Sequence, residues 1–305
     1  MKHPILLFFL LHTLLFAHII PYETGCSEAH SEKFRILDSV EVRFAPLGGI
    51  PFEGISDLAY DTGHRLLYAV SDRGWLYRLK LLIKDRKIQK LELTDAMTLT
   101  DAKGNDPDGK KWRDAEGMTL TREGLLVAFE RRPRIVLYTP DGRFVEKAKL
   151  PKPLKKAKRY RGKNKMLESV AWHPRYGIVT APERPLKQCD ASSHTIYSKK
   201  KRWEIPASGS LTAIETTAKG DILILERDYD WLTGNRTLRL SLVRIAKCKK
   251  RCIKETVAVL RTTDGCRLDN FEGLTRVDKD RYLMISDDNG SPFQKTLLVL
   301  FEISE

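Results

Sequence analysis

The stretch Asp114-Ala115-Glu116-Gly117-Met118-Thr119-Leu120-Thr121-Arg122-Glu123-Gly124-Leu125-Leu126-Val127-Ala128-Phe129-Glu130-Arg131 decides the fold. It reads as an acidic-Gly opening, a short strand, a tight turn at Arg122-Glu123-Gly124, an unbroken apolar strand and an acidic exit. The pattern recurs. Phe52-Glu53-Gly54-Ile55 leads to Leu66–Val70 and Ser71-Asp72-Arg73, and Leu167-Glu168-Ser169-Val170 leads past His173 to Gly177–Ala181 and Glu183-Arg184. Ser210-Leu211-Thr212-Ala213 leads to Ile222–Leu225 and Glu226-Arg227, and Phe271-Glu272-Gly273-Leu274 leads to Tyr282–Ile285 and Ser286-Asp287-Asp288.

Short strands joined by Gly and Asp turns, repeating every ~45 to 65 residues, mark propeller blades. A further strand follows most units, as at residues 75–79, 135–138 and 297–301, and no long amphipathic helix interrupts them. The expected fold is an all-β propeller of five or six blades, with part of a sixth blade placed in the gap between Asp72 and Asp114. An open sheet edge invites aggregation, so the ring must close. Residues 34–44 are expected to pair with the last strand, residues 297–303. A β-sandwich explains the strand density but not the recurring acids.

Around this core the composition is that of a folded chain: 305 residues, 42% hydrophobic and 31% charged. Lys and Arg number 54 against 40 Asp and Glu, a net charge of +14. Only the N-terminal run at residues 5–20 approaches membrane length, which excludes a multi-span transporter or channel. After Lys2 and His3 that run reads as a secretory signal, so residues 1–29 are assigned to a leader and residues 30–305 to one domain. The alternative is an uncleaved anchor. Cys26 follows Gly25, yet Glu23 stands where a lipoprotein signal needs an apolar residue. Export, to the periplasm or outside the cell, exposes the cysteines to oxidation. Four of them, Cys189, Cys248, Cys252 and Cys266, permit three connectivities. A Cys248–Cys252 bridge across a basic hairpin tip, with Cys189 to Cys266, is the simplest pairing, and zinc is disfavoured because only one close pair exists.

Several phrases resemble the phytase-like family with esterase-like activity. They are Asp114-Ala115-Glu116-Gly117, Phe129-Glu130-Arg131-Arg132-Pro133-Arg134-Ile135 with Tyr138 and Asp141-Gly142, Leu150-Pro151, Asn164 with Leu167-Glu168-Ser169, and Asn270-Phe271-Glu272-Gly273-Leu274 with Ser286-Asp287-Asp288-Asn289. The resemblance runs from about residue 52 to residue 304 and implies an exported propeller with calcium-dependent phosphoesterase activity. Ser169 departs from the pattern at a Gly, and Leu211-Thr212 replaces an acidic-Gly pair.

Inner strands of a propeller converge on a channel, so equivalent residues of successive blades form rings at its mouth. Glu53, Glu116, Glu168 and Glu272 would form one ring, and Asp72, Glu130, Glu183, Glu226 and Asp287 another. So many carboxylates need a counter-charge. Calcium, which takes several oxygen ligands, suits Glu53, Glu168, Glu272, Asp287 and Asp288. Arg73, Arg131, Arg184 and Arg227 suit carboxylates or a phosphate, with His173 beside them as a further substrate contact. Asp114, Glu116 and Glu130 are the candidates for general-base and catalytic work. The competing reading is an ion-pair ring that holds the channel shut.

Other motifs carry less. Residues 104–110 have phosphate-loop spacing but lack the Ser or Thr and the following helix. Asp101, Asn105, Asp106 and Asp108 miss the EF-hand register, leaving only a surface cation site there. Asn235-Arg236-Thr237 is a glycosylation sequon. The basic runs at residues 152–165 and 199–202 read as solvated loops that attract polyanions, anionic esters or an envelope surface. Nothing supports nucleic-acid binding, and a monomer is expected. Three functions follow: an ester or phosphoester hydrolase, a non-catalytic propeller binding an anionic polymer, envelope component or protein partner, and a lactonase-like propeller with one calcium.

Overall fold

The computed structural model describes residues 19–26 and 32–304. Strands β1 (Ile19–Pro21) and β2 (Phe34–Val42) precede four sheets of four strands each, built from consecutive antiparallel hairpins. Blade one is β3 (Ile55–Asp61), β4 (Leu66–Ser71), β5 (Trp75–Lys84) and β6 (Lys87–Thr98). Blade two is β7 (Ala115–Thr121), β8 (Gly124–Phe129), β9 (Arg134–Tyr138) and β10 (Phe144–Lys147). Blade three is β11 (Leu167–His173), β12 (Gly177–Pro182), β13 (Ser193–Ser198) and β14 (Arg202–Pro206). Blade four is β15 (Ser210–Thr216), β16 (Ile222–Tyr229), β17 (Arg236–Val243) and β18 (Lys254–Arg261). In blade five, β19 (Asn270–Arg276), β20 (Arg281–Asp287) and β21 (Leu297–Ile303) are completed by β2 and then β1.

The number of blades is five. The gap expected to hold part of a sixth is filled by β5 and β6, the outer strands of blade one. The five inner strands β3, β7, β11, β15 and β19 contact one another in a closed circuit. The second strand of each blade is sandwiched between its neighbours, which is why Gly124–Phe129 is buried at every position and reads as a continuous apolar run. Five hydrophobic clusters fill the five seams between adjacent blades, so each blade buries both faces. The ring closes as expected: β2 pairs antiparallel with β21, Phe34 opposite Ile303 and Glu41 opposite Leu297.

The cysteine pairing differs in part from the expectation. Cys248–Cys252 forms, but Cys266 bonds Cys26 and Cys189 is a free thiol. The reason is the closure strand. Arg267 N–H donates to Thr24 O at 2.6 Å, which holds the segment before β2 against the connection between β18 and β19. The segment 19–26, which the expected boundary gives to the leader, is packed on blade five through β1 and this bridge. The rest of the leader, residues 1–18 and 27–29, lies outside the described residues. Among the described residues no helix is long and apolar enough to cross a membrane.

Candidate functional site

A β-bulge at the start of every inner strand builds the site. Pairing skips one residue between Ile55 and Asp57, Ala115 and Gly117, Leu167 and Ser169, Leu211 and Ala213, and Phe271 and Gly273. The skipped residues are Ser56, Glu116, Glu168, Thr212 and Glu272. A bulge leaves its extra residue unpaired and re-aims the side chain. Here it assigns these five to one register position in the five blades.

The acidic-Gly pair thus has a steric explanation. The residue after the bulge lies against the neighbouring inner strand, and a Cβ on Gly117 would stand 2.6 Å from Glu168 O. A Cβ on Gly273 would stand 2.8 Å from Asp57 Cα. Glycine lets the inner strands close up, and the preceding Glu occupies the bulge.

The exit residues follow the same register. Asp72, Glu130, Glu183, Arg227 and Asp287 each come one residue after the strand position that faces Ile55, Ala115, Leu167, Leu211 and Phe271. Two expected ring members are therefore displaced. Glu53 lies three residues before the bulge at Ser56 and pairs with Arg73 at 3.3 Å. Glu226 lies one residue before the exit position and turns away from it: it accepts from Lys254 Nζ at 2.6 Å and Ser208 N–H at 2.8 Å, with His194 Nε2 at 3.6 Å. Arg227 replaces an acid in blade four and donates to Glu272 at 2.7 Å.

Carboxylate oxygens of Asp114, Glu116 and Glu130 all lie within 4.8 Å of one another, and so do those of Glu130, Glu168 and Glu183. Glu130 belongs to both groups. Among the described residues, cations reach only some of these acids: Arg131 binds Asp114 at 2.8 Å, Lys165 binds Glu183 at 3.1 Å, and Lys110 stands 3.7 Å from Asp72. Among the described residues, Glu116, Glu130, Glu168 and Asp287 form no ion pair with Lys or Arg. Burial and then the neighbouring carboxylates push Glu116 and Glu168 well above the usual range. Burial raises Glu130 to about 8 although Met166 N–H donates to it, and burial followed by the Glu272 charge raises Asp287 to about 8. Arg227 is raised because Glu272, Glu168, Glu183 and Asp287 outweigh its own burial.

The other candidates lie apart from this cluster or are already engaged. Asp288 accepts from Gly54 N–H, Gly290 N–H and Thr296 Oγ1, pinning the loop after β20 to the start of blade one. Arg184 is half-buried in a cleft with Arg161 and Asp228. His173 ends β11, whereas Glu168 is its second residue, about 16 Å away at the usual rise of a strand. Its Nδ1 accepts from Arg175 and Tyr176 N–H groups and its Nε2 meets Gly220 O at 2.9 Å, so it closes a hairpin away from the cluster. The surface cation site considered at residues 101–108 is not assembled, because Asp101 caps the N–H groups of Lys103 and Asn105 while Asp106 pairs with Arg113.

Sequence reasoning missed three members. Ser56 holds a bulge position without acidic character, and its buried Oγ has no hydrogen-bond partner. Asp57, two residues after Ile55, is buried and accepts from the N–H groups of Leu58, Met118 and Leu274, tying three inner strands together. Lys165 brings a cation from the basic run to Glu183. That run, residues 152–165, enters blade three at the carboxylate end, whereas residues 199–202 form a hairpin at the other end, so the two do not form one basic rim.

A protein-family model described as "Phytase-like: Esterase-like activity of phytase" matches residues 50–290. No curated protein matches the chain. Among solved structures, the chain is similar to the PQQ-bound form of aldose sugar dehydrogenase from Streptomyces coelicolor, with 11% identity and a TM-score of 0.44 over 88% of this chain and 98% of that one.

Proposed function

The chain belongs to the phytase-like family, and from that premise we propose that it is an exported hydrolase of a phosphate or other ester, assisted by a divalent cation, calcium, at the channel mouth. The observation that carries this reading is the group Glu116, Glu130 and Glu168: carboxylates on two adjacent blades, gathered at one end of the inner strands with no Lys or Arg paired to them among the described residues. A hard cation with oxygen ligands is the counter-charge that such a group fits. Asp114 and Glu116 would hold it on one side and Glu168 and Glu183 on the other.

When bound, such a cation supplies Lewis-acid polarisation and acidifies a coordinated water. The chain's own residues do the rest. Glu130, common to both oxygen groups and already held by Met166 N–H, is placed to take a proton as general base. Arg131 and Arg227, each anchored to one carboxylate, present their remaining N–H groups to an anionic ester. The disulfides agree with an oxidising compartment, which supports export.

One observation favours a non-catalytic reading, a propeller that binds an anionic polymer or a protein partner. Lys110, Arg131, Lys165 and Arg227 each engage a mouth acid, as in an architectural ion-pair ring. Hydrolysis of a panel of phosphomonoesters, phytate, carboxylic esters and lactones, with calcium and with a chelator, separates the two. Calcium-dependent turnover of one class, reduced at least about a hundredfold in a folded Glu116→Gln variant, supports the hydrolase. Absence of turnover across the panel, with calcium raising only the melting temperature, makes the acids architectural. A lactone as the one accepted class selects the lactonase-like chemistry.

A further inference from the structure

We propose that the cleft between residues 99–114 and the outer strands of blade two binds a small organic anion with a planar apolar body, its acid group facing Arg134. The cleft has a volume of about 320 Å³ and is lined by Trp112, Val136, Tyr138 and Phe144, with Arg134 within it and Lys147 among its lining residues. That volume is at the lower end of small-molecule sites, which are typically apolar with a few placed polar groups. It is separate from the carboxylate cluster, with which it shares no lining residue.

Arg134 is the observation that selects an anion. It is half-buried, its guanidinium carbon lies 3.7 Å from the centre of the Phe129 ring, and among the described residues it forms no ion pair. Two of its N–H groups go to the backbone carbonyls of Arg132 and Trp112, which orients the fork without neutralising it. Asp114, an acid whose charge reaches Arg134, is itself paired with Arg131. A desolvated cation without a carboxylate costs stability unless an anion arrives. Burial lowers its pKa to about 10, so it stays charged at neutral pH.

The other charged groups of the cleft leave this preference standing. Asp101 is spent on backbone N–H groups of its own loop, and the exposed Asp108 shares the cleft lining with two exposed lysines, Lys103 and Lys147. Trp112 supplies the flat wall. Arg132 stacks on it with its guanidinium carbon 3.7 Å from the ring centre, which holds the indole in place. An aromatic carboxylate or sulfonate matches both features, a flat body on the indole and an acid on the guanidinium.

The test is calorimetric titration of the purified protein with 2-naphthoate and with neutral 2-naphthamide. The expected result is naphthoate binding at or below millimolar Kd and at least about tenfold tighter than the amide. Arg134→Gln should remove that preference, and Lys147→Glu, an exposed substitution that leaves folding intact, should weaken naphthoate about threefold or more and leave the amide unchanged. Glu116→Gln should bind naphthoate as the wild type does, which keeps this site distinct from the channel. Equal binding of acid and amide, no binding of either at millimolar concentration, or a Lys147→Glu variant with unaltered naphthoate affinity would overturn the proposal. If Arg134→Gln does not fold, the Lys147→Glu comparison decides alone.

Discussion

Arg227 Nη2 donates to Glu272 Oε1 at 2.7 Å, from the register position that an acid holds in each of the other four blades. One blade of five thus carries a cation into a ring of carboxylates, and its buried Nε has no other partner. That single reversal of sign makes the mouth asymmetric: Glu272 is paired with a residue of the ring itself, whereas Glu116 and Glu130 have no Lys or Arg partner among the described residues.

Removing the internal cation should expose how much the ring depends on it. Arg227→Leu leaves Glu272 buried and unpaired, so it should cost about 3 kcal/mol in chelator. Added calcium should recover part of the loss. Chemical denaturation with and without calcium measures this, and a neutral effect of the substitution would show that Arg227 is not the ring's counter-charge.

The raised carboxyls fix the sign of the pH dependence. Glu130 and Asp287 keep their protons in the folded chain up to about 8 and release them near the ordinary carboxylate range when unfolded. The folded state binds more protons across that window, so stability falls as pH rises from about 4.5 to 8. In chelator the melting temperature should drop by roughly 5 °C or more over this range. Saturating calcium should flatten the slope, and a melting temperature that climbs with pH in chelator would contradict the assignment.

Gly117 should tolerate no side chain. Its Cβ would meet backbone atoms of Glu168, Ser169 and Val170, none of which is a flexible side-chain end. Gly117→Ala should destabilise the propeller by about 1–3 kcal/mol, the cost of overpacking, and disturb the Glu116–Glu168 approach. Gly48→Ala, with open space around its Cβ, provides the contrasting case, in which only the positive φ is penalised. Urea denaturation midpoints rank the two.

The Cys26–Cys266 bridge should matter more than Cys248–Cys252. The first closes a loop with a sequence separation of 240 and the second one of 4, and the entropy removed from the unfolded chain grows with loop length. Cys266→Ser should lower stability by about 2–5 kcal/mol. Cys252→Ser should cost less, as read by melting temperature at fixed pH.

Much of this was legible in the sequence, and the reasons are local. The continuous apolar runs such as Leu125–Phe129 announced buried second strands, and Glu116-Gly117 announced its own bulge because glycine and acid serve one geometry. The register across blades was not legible. A bulge shifts pairing by one residue, and Glu53-Gly54 imitates the motif three residues too early, so only the hydrogen-bond ladder identifies Ser56 as its equivalent. Glu226-Arg227 likewise offers two charged neighbours, and Lys254 and His194, distant in sequence, decide which one turns outward. The Cys26 pairing depended on where β2 docks, a contact spanning the whole ring.

That docking has a consequence for how the molecule comes into being. Apart from the three-residue β1, the ladder partner of β2 is β21, more than two hundred and fifty residues later, so blade five stays unfinished until the final strand is synthesised. A partly made chain therefore has no completed ring, and the fold locks only when its two ends meet.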